Sequence, residues 1–224
     1  MLTGLRTKTS GLVLDDAPNV SPITPTLLTD KSRWGNDGAF TNVTMVQLPS
    51  KLWVYELDGA NAYVDCGHDA SINFISQPFS ALIWLYPTDI SGNPYVIGDG
   101  RSSVDGWNLW IIGGGNLLFR TNQTAATQTS NSLAGEIITN TWTLVGCTRD
   151  GASGRVYING MDRTDTIGVH IDPLATAQPV RIGVENDLSQ DFVGYVALPH
   201  IYSYALSAGQ INQRYEATRR FFGK

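Results

Sequence analysis

The stretch from Trp142 to Thr164 constrains the fold more than any other part of the chain. Two apolar runs, Trp142 to Thr148 and Arg155 to Ile158, are separated by a Gly/Ser/Asp loop, and the second run ends in Asn159-Gly160. Asn-Gly marks a two-residue hairpin, because both central residues of a type I′ turn take positive φ and these two tolerate it at least cost. The segment therefore predicts a three-strand meander. In its first strand Trp142 and Leu144 point to one side while Val145 and Cys147 point to the other. Both sides are apolar, so this strand is expected in the middle of a sheet and covered on both faces.

Similar patterns recur along the chain. Phe79, Ala81, Ile83 and Leu85 share one face of a second doubly covered strand, with Leu82, Trp84 and Tyr86 on the other and Pro87 expected to end it. Further strands are predicted over Ala39 to Val46, Leu52 to Leu57, Ala62 to Cys66, Tyr95 to Gly98, Pro179 to Gly183 and Gly194 to Tyr202. Gly106 to Ile112 and Asn116 to Arg120 flank a hairpin loop at Gly113-Gly-Gly115. The tract Thr121 to Ser132 is polar, expected to be exposed and compatible with an edge strand. One helix is expected near the C-terminus, where Ser207 to Gln210 makes a capping box, Ile211 and Tyr215 recur at helical spacing, and Arg219-Arg220 suits a helix end.

At the other end, an apolar run from Gly11 to Leu14 gives way to a segment with Pro18, Pro22 and Pro25, so 1–29 is expected to be partly an extended arm behind one edge strand. No internal repeat or long linker divides the chain, and 1–224 is expected to form one domain. About a dozen short strands and one helix exceed what an open sheet holds, so two packed antiparallel sheets are predicted. The low charged fraction of 16% and the 23 glycines agree with an all-β class.

The 15 Lys and Arg against 20 Asp and Glu leave a net charge of −5, which gives no attraction to phosphate backbones and argues against nucleic acid as a partner. No run approaches the roughly 20 apolar residues needed to span a bilayer as a helix, so membrane insertion is not expected. Met1 to Asp16 lacks a signal-peptide core and cleavage site. Cys66 and Cys147 could pair, although two cysteines in a chain this long more often read as buried thiols.

Asp30-Lys-Ser-Arg-Trp-Gly-Asn-Asp-Gly38, Leu57 to Asp65, Phe79 to Pro87, Trp142 to Gly160, and Gly194 to Ser207 leading into the helix follow one another in a recognisable order. With them the chain from about Gly11 to Phe222 resembles the concanavalin A-like lectin/glucanase superfamily, and within it the laminin-G-like jelly-roll modules. The resemblance implies an all-β, two-sheet antiparallel jelly-roll sandwich with one short C-terminal helix.

Catalytic members of that superfamily carry a Glu-x-Asp-x-x-Glu strand. The nearest string here is Glu185-Asn-Asp187-Leu-Ser-Gln190, in which the second glutamate is glutamine and the flanks are polar. A retaining pair needs two carboxyl groups about 5 to 5.5 Å apart, so this chain is not expected to be an enzyme. His68, His170 and His200 stand far apart without metal-ligand spacing and are expected to be structural.

Binding is the better reading. Six tryptophans and nine tyrosines exceed the needs of a core, and several are placed at loops: Trp34, Tyr95, and Trp107 beside Asp105 and Asn108, with Trp110 close by. A flat indole offers a dry platform to a sugar ring while Asp, Asn and backbone groups bond its hydroxyls, so carbohydrate at a cell surface is the expected ligand.

The loop Asp30 to Gly38 supports two readings, a tight turn with Trp34 packed over it or an ion-supporting loop. In the resembled family calcium commonly bridges such loops, which makes Asp30, Asp37 and, from a distance, Asp191 the candidate calcium ligands. The chain departs from the family's acidic pair at Ala197-Leu198-Pro199. The alternative to a lectin-like module is a structural protein of a phage particle or other assembly. The proline-rich arm and Arg219-Arg-Phe-Phe222 would then contact protein partners or further copies of the chain. Either reading expects an extracellular or particle surface.

Overall fold

The computed structural model describes residues 11–224. The first ten residues of the expected arm, and with them most of the stretch read for a signal peptide, lie outside the described residues. The strands are β1 (Leu12–Asp15), β2 (Ala39–Thr41), β3 (Thr44–Gln47), β4 (Trp53–Asp58), β5 (Tyr63–Asp65), β6 (Phe79–Asp89), β7 (Tyr95–Gly98) and β8 (Trp107–Ile112). They continue with β9 (Asn116–Gln123), β10 (Ala126–Asn131), β11 (Thr143–Asp150), β12 (Ser153–Ile158), β13 (Met161–Asp162), β14 (Arg181–Ile182) and β15 (Val193–Tyr202). Helix α1 (Ala208–Thr218) and a 3-10 turn, Arg219–Phe222, follow.

Two antiparallel sheets result. One runs β13-β12-β11-β6-β15-β4-β3 with β1 added to β15, and the other runs β10-β9-β8-β7-β14-β5-β2. The expected meander is β11-β12-β13, and Asn159 (φ 49°) and Gly160 (φ 81°) form its tight turn between the paired Ile158 and Met161. The alternation read in β6 and β11 sorts their side chains between two cores. Phe79, Ala81, Ile83, Leu85, Val145 and Cys147 fill the space between the sheets. Leu82, Trp84 and Leu144 face outward from the eight-stranded sheet and are covered by the C-terminal segment.

That cover is built locally. Ser207 Oγ accepts the Gln210 N–H and the Ser207 N–H donates to Gln210 Oε1 at 2.9 Å, completing the capping box. Phe222 stacks on Trp84 at 4.2 Å and meets Trp142 at 4.6 Å, while Trp84 Nε1 donates to Thr218 Oγ1 at 2.9 Å. Burying rings of this size stabilises by about 1.5–3 kcal/mol each. Phe222 therefore belongs to the chain's own core and is not offered to a neighbour.

Two strand expectations are corrected. Ala39 to Val46 is not one strand: Asn42 takes φ 54° and the chain crosses from the seven-stranded sheet at β2 to the eight-stranded sheet at β3. Nor does Pro87 end β6, which continues to Asp89. Pairing with β11 stops at Thr143 and Leu85, so Pro87 lies beyond it and its missing N–H removes no ladder bond. The tract from Thr121 is more ordered than its polarity predicts: β10 forms the sheet edge against β9, and Thr121, Asn122 and Ser130 are buried. Cys66 and Cys147 are free, buried thiols.

Candidate functional site

With α1 lying over the eight-stranded sheet, the seven-stranded sheet keeps an outer face of different character. Along β8 the pleat sends Trp107, Leu109 and Ile111 into the core between the sheets. Asn108, Trp110 and Ile112 point the other way. Register places Trp110 opposite Tyr95 on β7 and Leu118 on β9, and Asn108 opposite Gly98 and Arg120. Tyr95, Trp110 and Leu118 form a small apolar cluster of their own, with the Tyr95 ring edge-on to the indole at 5.6 Å. The Arg120 guanidinium lies over the same indole at 4.8 Å.

Two loops close on this face, residues 99–106 and 184–191. Arg101 Nη2 pairs with Asp187 Oδ2 at 2.8 Å, and the Ser102 N–H donates to Glu185 Oε1 at 2.9 Å. Arg120 Nη1 reaches the Ser102 hydroxyl at 3.2 Å. The close approach of loop and strand needs glycine, since a Cβ on Gly98 would stand 2.2 Å from the Trp107 carbonyl oxygen and one on Gly100 would stand 2.1 Å from that of Asp105.

Beneath these loops several buried polar atoms find no hydrogen-bond partner in the described residues: Tyr95 Oη, Asp99 Oδ2, both side-chain polar atoms of Asn108, Trp110 Nε1 and Arg120 Nε. An unsatisfied buried group costs about 1–3 kcal/mol, and most proteins carry only a few across the whole fold. Here they lie on three adjacent strands, β7, β8 and β9, and on Asp99 just after β7. Asp99 Oδ1 accepts the Trp107 N–H at 2.9 Å, yet burial pushes the carboxyl up to about 8, so it is largely protonated at neutral pH. Burial also raises Glu185, against the opposing bond from Ser102. The set mixes donors and acceptors on mostly neutral groups, with the one guanidinium of Arg120 facing the nearby Glu185, which matches hydroxyl groups better than a second cation.

Tyr95, Asn108 and Trp110 of the sequence-predicted ligand set thus come together, but on strands under loops and not in loops. Trp107 is corrected outright. It is fully buried and packs on Phe79 at 4.8 Å, because strand alternation turns it inward, away from its two neighbours. Asp105 lies in the covering loop, where its Oδ1 accepts the Arg101 N–H at 3.2 Å. Trp34 is 45% exposed beside the Arg33 guanidinium, in the loop that precedes β2, and β2 is four strands from β8 in the sheet order. Asp99, Arg120 and Glu185 were missed as members of the patch. The Gly98-Asp99-Gly100 triplet carried a signal, since two glycines around one acid indicate tight backbone approach.

The candidate calcium ligands do not fit a cage. Asp30 Oδ1 accepts the N–H groups of Asp15 (2.9 Å) and Ser32 (2.8 Å), and Oδ2 accepts the Ser32 hydroxyl (2.7 Å) and the Asn36 N–H (2.8 Å). Asp37 Oδ1 accepts the Asp30 N–H at 2.8 Å, while Asp191 bonds the Asn61 N–H at 3.2 Å. No three His, Cys, Asp or Glu side chains gather as a metal-binding group among the described residues. Calcium asks for six to eight oxygens, and the Asp30 carboxylate already serves as the hub of its own loop.

The histidines have structural partners. His170 lies between the hydroxyls of Thr121 (3.0 Å) and Ser130 (2.9 Å), and burial pushes it down to about 4. His200 contacts Asp15 at 3.1 Å, and His68 lies 2.8 Å from the Thr176 carbonyl oxygen. Glu185 and Asp187 lie in a loop, with Asp187 committed to Arg101 and Ser189.

Residues 58–212 match the profile of the laminin G-like family described as the Concanavalin A-like lectin/glucanases superfamily. No curated protein sequence matches the chain. Among solved structures, the binding domain of Paraclostridial Mosquitocidal Protein 1 is similar with a TM-score of 0.75 and 17% identity, over 96% of this chain and 56% of that one. The receptor binding domain of botulinum neurotoxin D gives 0.66 and 18%, over 92% and 52%. Domain 4 of AbnA, a GH43 extracellular arabinanase from Geobacillus stearothermophilus solved in complex with arabinotriose, gives 0.69 and 17%, over 91% and 97%. The chain spans about half the length of the toxin domains and nearly all of the arabinanase domain. At these identities the likeness is one of fold.

Proposed function

This chain belongs to the concanavalin A-like lectin/glucanases superfamily, and on that premise we propose that it is a non-catalytic module that binds carbohydrate on the outer face of the seven-stranded sheet. One observation carries the reading: Tyr95, Asp99, Asn108, Trp110 and Arg120 hold unpartnered polar atoms around one indole. Sugar hydroxyls both donate and accept, and the ring's C–H face suits Trp110 once Arg120 swings off it. The loops joined by Arg101 and Asp187 open to admit the ligand. Their pair is exposed, and such pairs hold by only about 0–1 kcal/mol. The arabinotriose complex of the similar arabinanase domain makes that trisaccharide the first probe.

A glycan array followed by calorimetry tests the proposal. We expect saturable capture of at least one neutral oligosaccharide, weakened tenfold or more in Asn108→Ala and Trp110→Ala proteins that still fold. A blank array, or variants that bind like the parent, would refute it. Release of reducing sugar from any captured polysaccharide would overturn the non-catalytic part alone.

A further inference from the structure

A second cleft opens at the other sheet, between the proline-rich arm and β4. It encloses about 170 Å³ and is walled by Trp53, Tyr55, Pro18, Pro25, Leu27 and Leu198, with Asp16 on its lining. The arm is fixed there: the Trp53 N–H donates to the Asn19 carbonyl oxygen at 3.0 Å and Trp53 Nε1 to that of Ser21 at 2.7 Å. Leu198 reaches the cleft because β15 is irregular between Ala197 and His200, where Leu198 takes φ 50°. The volume is comparable with the ~150 Å³ cavities that take up a benzene-sized molecule.

Asp16 is 7% exposed and accepts one side-chain bond, from Tyr55 Oη at 2.6 Å. Among the described residues it makes no ion pair. The neighbouring Asp15 engages His200, and Lys31, also on the cleft lining, comes within pairing distance of no acid there. The Leu198 N–H also bonds this carboxyl, and His200 acts on it without touching it. A buried carboxylate with no direct ion pair is left, and a ligand that brings a cation into contact adds what the protein does not supply.

We propose that this cleft binds a small primary ammonium ligand on a short alkyl stem, with the ammonium on Asp16, oriented by Tyr55, and the stem against Trp53, Pro25 and Leu27. The aromatic and proline walls favour an apolar stem, and Trp53 and Tyr55 add cation–π attraction. The groups that face Asp16 are Tyr55 from β4, His200 from β15 and its neighbour Asp15, with Lys31 at the lining. Burial holds the Asp16 carboxyl up at about 6, so the charged form that the ligand needs develops between pH 5 and pH 7.5.

The test titrates n-butylamine and butan-1-ol into the intact chain at both pH values, followed by calorimetry and by amide NMR shifts. Butylammonium should bind saturably and about tenfold tighter at pH 7.5 than at pH 5, following ionised Asp16. Butan-1-ol should bind at least tenfold more weakly. Asp16→Asn keeps an acceptor for Tyr55, and should fold, bind about tenfold more weakly and lose the pH dependence. Equal affinity for the alcohol, unaltered binding by Asp16→Asn, or no saturable binding of butylammonium would each overturn the proposal. The oligosaccharide site lies on the other sheet, so neither result depends on the other.

Discussion

Replacing Asp99 by Asn should make the protein's stability less sensitive to alkaline pH, by an amount the structure fixes. The Asp99 carboxyl is 1% exposed, and its ionisation is pushed up to about 8 by burial, with Asp105 adding to the effect and the Trp107 N–H opposing it. In the unfolded chain the same group titrates near 3.9. Between those values the folded state holds a proton that the unfolded state has released, so stability falls as pH rises and levels off above the folded value. Between pH 6.5 and 8.5 the folded group gives up most of its proton, which at about 1.4 kcal/mol per pH unit amounts to about 2 kcal/mol. Asp16, held up at about 6, has largely titrated before this window. His170, held down at about 4, destabilises only as pH drops below its unfolded value of about 6.5. Asn keeps the acceptor for the Trp107 N–H and carries no ionisable proton. Urea unfolding followed by tryptophan fluorescence at pH 6.5 and 8.5 should therefore show the parent losing about 2 kcal/mol more than Asp99→Asn. Parallel pH profiles for the two proteins would mean that Asp99 is not buried as described, and the neutral character assigned to the patch would fall with it.

Trp84→Ala should cost about 3–5 kcal/mol, since it removes the stack on Phe222 and the bond to Thr218 that hold α1 to the sheet; urea midpoints measure it. Asp30→Ala should destabilise by about 2–3 kcal/mol by stranding four donors, while calcium added to chelator-treated parent should leave the melting temperature unchanged. A calcium-dependent rise of several degrees would contradict that geometry. Cys66 and Cys147 are buried thiols whose ionisation is pushed well up by burial, so Ellman's reagent should label neither until guanidinium chloride unfolds the chain; fast labelling in buffer would refute their burial.

What the sequence determined by itself was local and periodic. Alternation in β6 and β11 fixed which residues face each core, Asn159-Gly160 fixed a turn, and Ser207 with Gln210 fixed a helix start, because each signal acts within a few residues. Tertiary structure decided everything that depends on which surface is covered. Trp107, Asn108 and Trp110 read as one candidate cluster, yet the sheet they enter sends the first into the core and leaves the other two beneath loops drawn in from residues 99–106 and 184–191. In sequence the acid that matters there, Asp99, shows only as an acid between two glycines, and the one at the second cleft, Asp16, as an ordinary polar residue. Their unusual state comes from desolvation by strands and loops distant along the chain, and no short window of sequence carries that quantity.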